Sequence, residues 1–144
     1  MSLEKNKAII RKVIEAVNKQ NLALLDEVIA SDCVYHMNAQ QIQGLEVLKQ
    51  VIEEEIKGFP DLHVTIEDIM AEGDKVCVRI KETLTHTSEF RGLAPTGKKL
   101  TDTAVAIFRI VDGKVVEGWG LYDQMDFFKQ LGVIEYKGFP DEVS

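Results

Sequence analysis

Residues 118–124 read Gly-Trp-Gly-Leu-Tyr-Asp-Gln and hold the chain's single tryptophan, with an aspartate four places behind it. Strand side chains alternate with period two, so Trp119, Leu121 and Asp123 share one face. A carboxyl that ends an apolar strand face has two uses. Desolvated against Trp119 and Leu121, it would titrate above its ordinary value of about 4 and would both take and give protons at neutral pH. As the N-cap of a helix starting at Gln124 or Met125, it would instead be held ionised by backbone N–H groups. Asp126, three places on, is not the Glu or Gln of a good capping box, and one residue can serve both roles.

Other ionisable groups fall in phase with apolar ones. His86 and Glu82 lie in step with Val76, Val78, Ile80 and Leu84, so both point the way the apolar face points unless a bulge turns them to water. His36 ends a short strand and His63 alternates outward with Thr65 and Glu67. Three scattered histidines and two distant cysteines offer no metal-ligand spacing. No glycine-rich phosphate loop follows a strand, and no serine sits in a Gly-x-Ser-x-Gly elbow.

The elements that must position these groups follow from periodicity. Residues 4–19 carry Ile9, Ile10, Val13, Ile14 and Val17 at helical spacing, a short helix restarts at Asn21, and 45–59 form a third helix with Leu45, Leu48, Val51, Ile52 and Ile56 inward. From Asp61 the period changes to two, through four strands that include the hairpin signal Asp112-Gly113. A short helix closes at Gly132. The order is α-α-β-α-β-β-β-β-α, an α+β domain in which a long antiparallel sheet must twist and curl, leaving a concave pocket under the helices.

Composition narrows the classes. The 144 residues suit one domain, 1–144. A net charge of −7 argues against nucleic acid, which wants a clustered basic face. Cys33 and Cys77 are too few for a disulfide framework and read as free thiols of a cytoplasmic protein, and no apolar run is long enough to span a membrane.

The ordered set His-Thr-x-Glu-Phe-x-Gly, Pro-Thr-Gly-Lys, Phe-Arg-Ile-x-Asp-Gly-Lys and Trp-x-x-x-Asp-Gln, closing on Gln-Leu-Gly, resembles the SnoaL-like polyketide cyclases, from about Val34 to Val133. That resemblance implies the nuclear-transport-factor-2-like cone, with helices closing a pocket. It also implies chemistry without metal or cofactor, in which an aspartate matching Asp123 removes a proton flanked by carbonyls and an aldol attack closes a ring. Asp123 is then the general base and acid, with His86 and His36 orienting a carbonyl or hydroxyl. Trp119, Leu121 and Glu82 line the substrate. The penultimate strand, 100–110, has no histidine, unlike those of the antibiotic cyclases, and its one acidic residue, Asp102, falls at the strand's open end.

The expectation is therefore a cofactor-independent acid–base enzyme acting on a hydrophobic, carbonyl-bearing small molecule by aldol cyclisation or isomerisation. The alternative is a hydrophobic-ligand-binding protein of the same fold without turnover, and a third reading is a dimerisation module. Val105 and Ile107 leave apolar side chains on the face opposite Ala104, Ala106 and Phe108, which predicts a homodimer at least.

Overall fold

The computed structural model describes residues 2–135, 137 and 138. Helix α1 (Leu3–Asn18) is capped by Ser2, whose hydroxyl accepts the Lys5 N–H, and it buries Ile10 and Val13 of the expected stripe together with Asn6 and Ala16, while Ile9, Ile14 and Val17 are half-buried. The helix expected from Asn21 is a short 3-10 helix over Leu22–Glu27, with no side-chain cap to extend it. Strand β1 (Ile29–Met37) begins four residues before the apolar run at 33–37. It turns through Asn38 into β2 (Gln40–Gln43), whose mostly polar sequence carries little strand signal. Helix α2 (Leu45–Gly58) follows Gly44. Strands β3 (His63–Glu72), β4 (Lys75–Thr85), β5 (Lys99–Val111) and β6 (Lys114–Tyr122) form the expected meander, and α3 (Gln124–Leu131) ends at left-handed Gly132.

The six strands make one sheet in the order β2-β1-β6-β5-β4-β3. It is mixed rather than wholly antiparallel, because β1 lies parallel to β6. Without β1, the row of N–H and C=O groups along β6 would be an open edge. The far edge, β3, is held by α1. The Asn18 side chain donates to the Val64 carbonyl at 2.9 Å and accepts the Val64 N–H at 2.7 Å.

Bulges curl this sheet, one in β3 between Ile66 and Asp68 and one where β6 meets Arg109 and Ile110. Strand β4 has none, and its pairing with β5 runs unbroken from Lys75 opposite Arg109 to Thr85 opposite Lys99. The concave face presents Val78, Ile80, Ala104 and Ala106 to the helices, and all four are buried. Their convex neighbours Val105, Ile107 and Leu121 are exposed. Among the described residues, no helix is long and apolar enough to cross a membrane.

Candidate active site

Helices α1 and α2 do not fill the hollow they cover. The small side chain of Ala106 and the bare backbone of Gly118 form part of its floor. A cavity of about 110 Å³ remains, walled by Val13 and Val17 of α1, Leu48 and Ile52 of α2, and Val78, Ile80 and Ala106 of the sheet. Four polar side chains enter this apolar wall: Tyr35, Glu55, Glu82 and Tyr122. A second recess of about 60 Å³ shares Met37, Val51, Glu55 and Tyr122 with the first, and adds Asp102, Arg91 and Gln124. Arg91 and Gln124 are exposed, so this recess is the cavity's mouth.

The carboxyls are clustered. Glu82 on β4 sits directly across from Asp102 on β5, and each is 6% exposed. Glu55 reaches the same space from α2. Three like charges in a poorly solvated space cannot all ionise. Burial pushes Glu82 well above the usual carboxylate range, and the charges of Glu55 and Asp102 push the same way. Burial also raises Glu55, offset by its hydrogen bond to Glu82 and by the nearby Arg91. Two carboxyls bond to each other only through a proton, so the Glu55–Glu82 pair shares one. Glu82 Oε2 meets no donor.

Asp102 is different in degree. Burial lifts it to about 7, opposed by the bond it accepts from the Thr103 N–H at 2.9 Å and reinforced by Glu55, Asp123 and Asp126. A carboxyl that titrates there is half ionised at neutral pH, so it can take a proton and return it.

The phenols form a pair. Tyr35 and Tyr122 hydroxyls lie 3.3 Å apart on the cavity wall. Burial drives Tyr35 up to about 12 and Tyr122 further, so both remain neutral O–H groups at physiological pH. The Tyr35 ring stacks on Phe108, with centroids 6.1 Å apart.

Of the residues expected at the site, Glu82 lines the cavity. His86 is fully buried, as its phase predicts, yet it belongs to the wall of neither recess. Its Nδ1 accepts the Thr96 N–H at 3.1 Å and lies 3.0 Å from Thr96 Oγ1, while its ring packs against Phe59. It ties down the loop between β4 and β5, with Gly97 donating to the His86 carbonyl.

Trp119, Leu121 and Asp123 do share a face, but it is the convex one. The register pairs Gly118 with Phe108 and Gly120 with Ala106, so the glycines and Tyr122 face inward. Leu121 is 70% exposed, and Asp123 is an exposed N-cap whose Oδ1 accepts the Asp126 N–H at 3.0 Å. The pocket wall expected from Trp119, Leu121 and Asp123 is corrected accordingly. His36 lies outside with them, stacked on Trp119 at 5.6 Å and 2.9 Å from Glu117, which also meets Arg109.

Glu55, Tyr35 and Tyr122 are site groups outside the sequence-based expectation, and Asp102, expected only at the open end of its strand, joins them. Asp102 is in phase with Leu100, Ala104 and Ala106, and Glu55 falls three places after Ile52 and four after Val51, on the buried face of α2. Both signals were present. Among the described residues, no group of three or more His, Cys, Asp or Glu side chains is arranged to hold a metal ion.

A curled α+β sheet closed by helices over an apolar cavity, with acid and phenol groups set into its wall, defines a small-molecule pocket domain of the nuclear-transport-factor-2-like class. The family model of the SnoaL-like polyketide cyclases matches residues 7–131, and the chain belongs to that family. Among solved structures it is similar to AclR of Streptomyces galilaeus, a proposed hydroxylase, with 32% identity over 93% of this chain and 100% of that one and a TM-score of 0.85. It is also similar to IdmH of Streptomyces antibioticus, a proposed polyketide cyclase, with 34% identity over 89% and 99% and a TM-score of 0.78. A SnoaL-like protein of Jannaschia, 21% identical over 92% and 94%, shares the fold with a TM-score of 0.83. No protein of curated function matches the chain.

Proposed function

We propose that this protein is a cofactor-independent acid–base enzyme that acts on a hydrophobic, carbonyl-bearing small molecule, by polyketide-type aldol cyclisation or a related isomerisation. The observation that carries the reading is Asp102, a buried carboxyl titrating at about 7 where the apolar cavity opens into its polar mouth. The role that the family resemblance assigns to Asp123 passes to Asp102, because Asp123 is exposed on the other side of the sheet. Ionised Asp102 takes a proton from a carbon beside a carbonyl, and the C–H pair becomes the enolate. The enolate carbon attacks a second carbonyl, forming the C–C bond. The new alkoxide then takes the proton back from Asp102. Family membership and the likeness to IdmH support this reaction class.

The test uses 2-tetralone, a bicyclic enolisable ketone, in D2O, with exchange at the carbons beside the carbonyl followed by NMR. The wild-type protein should accelerate exchange over buffer, more so as pH rises and levelling off above about 7 as Asp102 ionises. Asp102→Asn should slow it by roughly 100-fold or more. Exchange at the wild-type rate in Asp102→Asn would overturn the assignment. Binding of 2-tetralone without any acceleration would make the protein a ligand carrier.

A homodimer through the convex face belongs to the same proposal. Val105, Ile107 and Leu121 are exposed together there, with Val111 beside them. Sedimentation velocity between micromolar and tens of micromolar concentration should show a dimer, and a monomer throughout would remove it.

A further inference from the structure

The cavity wall carries more polar equipment than a proton carrier at the mouth requires. Each phenol has one O–H, and the Tyr35–Tyr122 contact uses only one of the two. Among the described residues neither hydroxyl has another hydrogen-bond partner, so one O–H is left over, on a wall that is otherwise apolar. Glu82 Oε2 is buried in the same wall and also unpartnered. Orphaned buried polar atoms are rare in folded proteins, because each costs the hydration it has lost. A spare phenol O–H and one such atom, Glu82 Oε2, on a single cavity surface mark a place where a bound molecule completes the bonding.

The site is also built to stay put. The Tyr35 ring lies flat over the backbone of β6, and a side chain at Gly118 or Gly120 would collide with it. Phe108 stacks on that ring with planes 5° apart. Glu82 is fixed by the unbroken β4–β5 register. Groups held this firmly need no rearrangement when charge develops before them.

We infer that Tyr35 and Tyr122 form a cradle for a single substrate oxygen, the carbonyl that becomes the enolate, so that the substrate is an enolisable ketone bound with this oxygen against the sheet and its acidic carbon toward Asp102. This rests on the acid–base reading above and extends it to the oxygen. As Asp102 removes the proton, the C–H electron pair forms the new C=C bond, and the carbonyl π pair moves onto the oxygen. The free phenol O–H donates to that oxygen and keeps its proton. Burial and its carboxyl neighbours oppose ionisation of Glu82, which limits the negative charge facing the developing enolate. The apolar wall suits a cyclic or aromatic body behind the ketone.

Matched probes test the cradle. 2-Naphthol and 2-methylnaphthalene have nearly the same shape, and only the first offers an oxygen. The wild-type protein should bind 2-naphthol about tenfold more tightly, as expected for one or two buried hydrogen bonds. Tyr35→Phe alone should leave part of this preference, since Tyr122 can turn its hydrogen to the ligand. Tyr35→Phe with Tyr122→Phe should bring the preference near unity and leave 2-methylnaphthalene affinity unchanged. Both phenylalanines keep their rings, and an unchanged near-ultraviolet circular dichroism from Trp119 checks the fold. Equal binding of the two probes to wild type, or a preference that survives the double substitution, overturns the cradle while the role of Asp102 stands on the exchange assay. Failure of both probes to bind overturns the cradle together with the apolar small-molecule site.

Discussion

Asp102→Asn should be more stable than the wild-type protein at pH 8, by about 2–3 kcal/mol, and nearly equal to it at pH 3.5. The folded Asp102 holds its proton up to about pH 7, whereas an unfolded aspartate releases it near 3.8. Between those values the native state binds more protons than the unfolded chain, so stability falls as pH rises. Above about 7 the carboxyl is ionised in both states, and the cost stays at its full value. A three-unit shift corresponds to roughly 4 kcal/mol, lowered here for screening by water at the cavity mouth. Asparagine keeps the oxygen that accepts the Thr103 N–H and removes the charge that burial and Glu55 oppose. The melting temperature at pH 8 should rise by roughly 6–10 °C. Glu55 and Glu82 lower stability with rising pH in both proteins, less so in the variant because the Asp102 charge no longer raises Glu82, so the quantity to plot is the difference between variant and wild type. A difference that does not change with pH would mean that Asp102 titrates near its ordinary value, and the proton-carrier role would go with it. Destabilisation by a functional group is expected where an acid must work at neutral pH.

The sequence shows much of this arrangement, and what it hides has a physical cause. Alternation in β4 places Glu82 and His86 on the buried face, and the structure has them there because no bulge interrupts that strand. Alternation also groups Trp119 with Leu121 and Asp123, but period two reports which residues share a face, not which face is inside. The single tryptophan draws the reading inward. In the structure the inner positions belong to Gly118 and Gly120, because the Tyr35 ring from the neighbouring strand fills the space that their side chains would take. That pairing is parallel and joins residues more than 80 positions apart, so no local pattern announces it. The same holds for β2, whose sequence Gln-Gln-Ile-Gln becomes a strand through its pairing with β1. Glu55 is hidden differently. A lone acid on an apolar helical stripe reads as a boundary residue until the acids of β4 and β5 are seen opposite it.

Gly120→Ala should be the more damaging of the two methyl additions at the inward glycines of β6. Its Cβ would overlap the Tyr35 hydroxyl and come within 2.9 Å of Tyr122 Cε1 and 3.0 Å of Tyr35 Cζ. The strand cannot retreat, since β6 is paired on both sides, with β1 and with β5. The Tyr35 ring must therefore leave its place over β6, losing its stack on Phe108 and its contact with Tyr122. Overpacking of this kind costs about 3 kcal/mol, or roughly 10 °C in melting temperature. The colliding atom is the phenolic oxygen, so Tyr35→Phe in the same chain should return part of the loss, about 1 kcal/mol relative to the sum of the single changes. The remaining carbon contacts keep the rescue incomplete. Thermal unfolding of the wild type, both single variants and the double variant measures this coupling. Strictly additive losses would mean that Tyr35 does not lie on the β6 glycines, and the fixed phenol on which the oxygen cradle depends would be lost with that contact. Negative coupling, with the double variant recovering stability but not its preference for 2-naphthol, would tie the two inward glycines of β6 to the seating of the hydroxyl that meets the substrate.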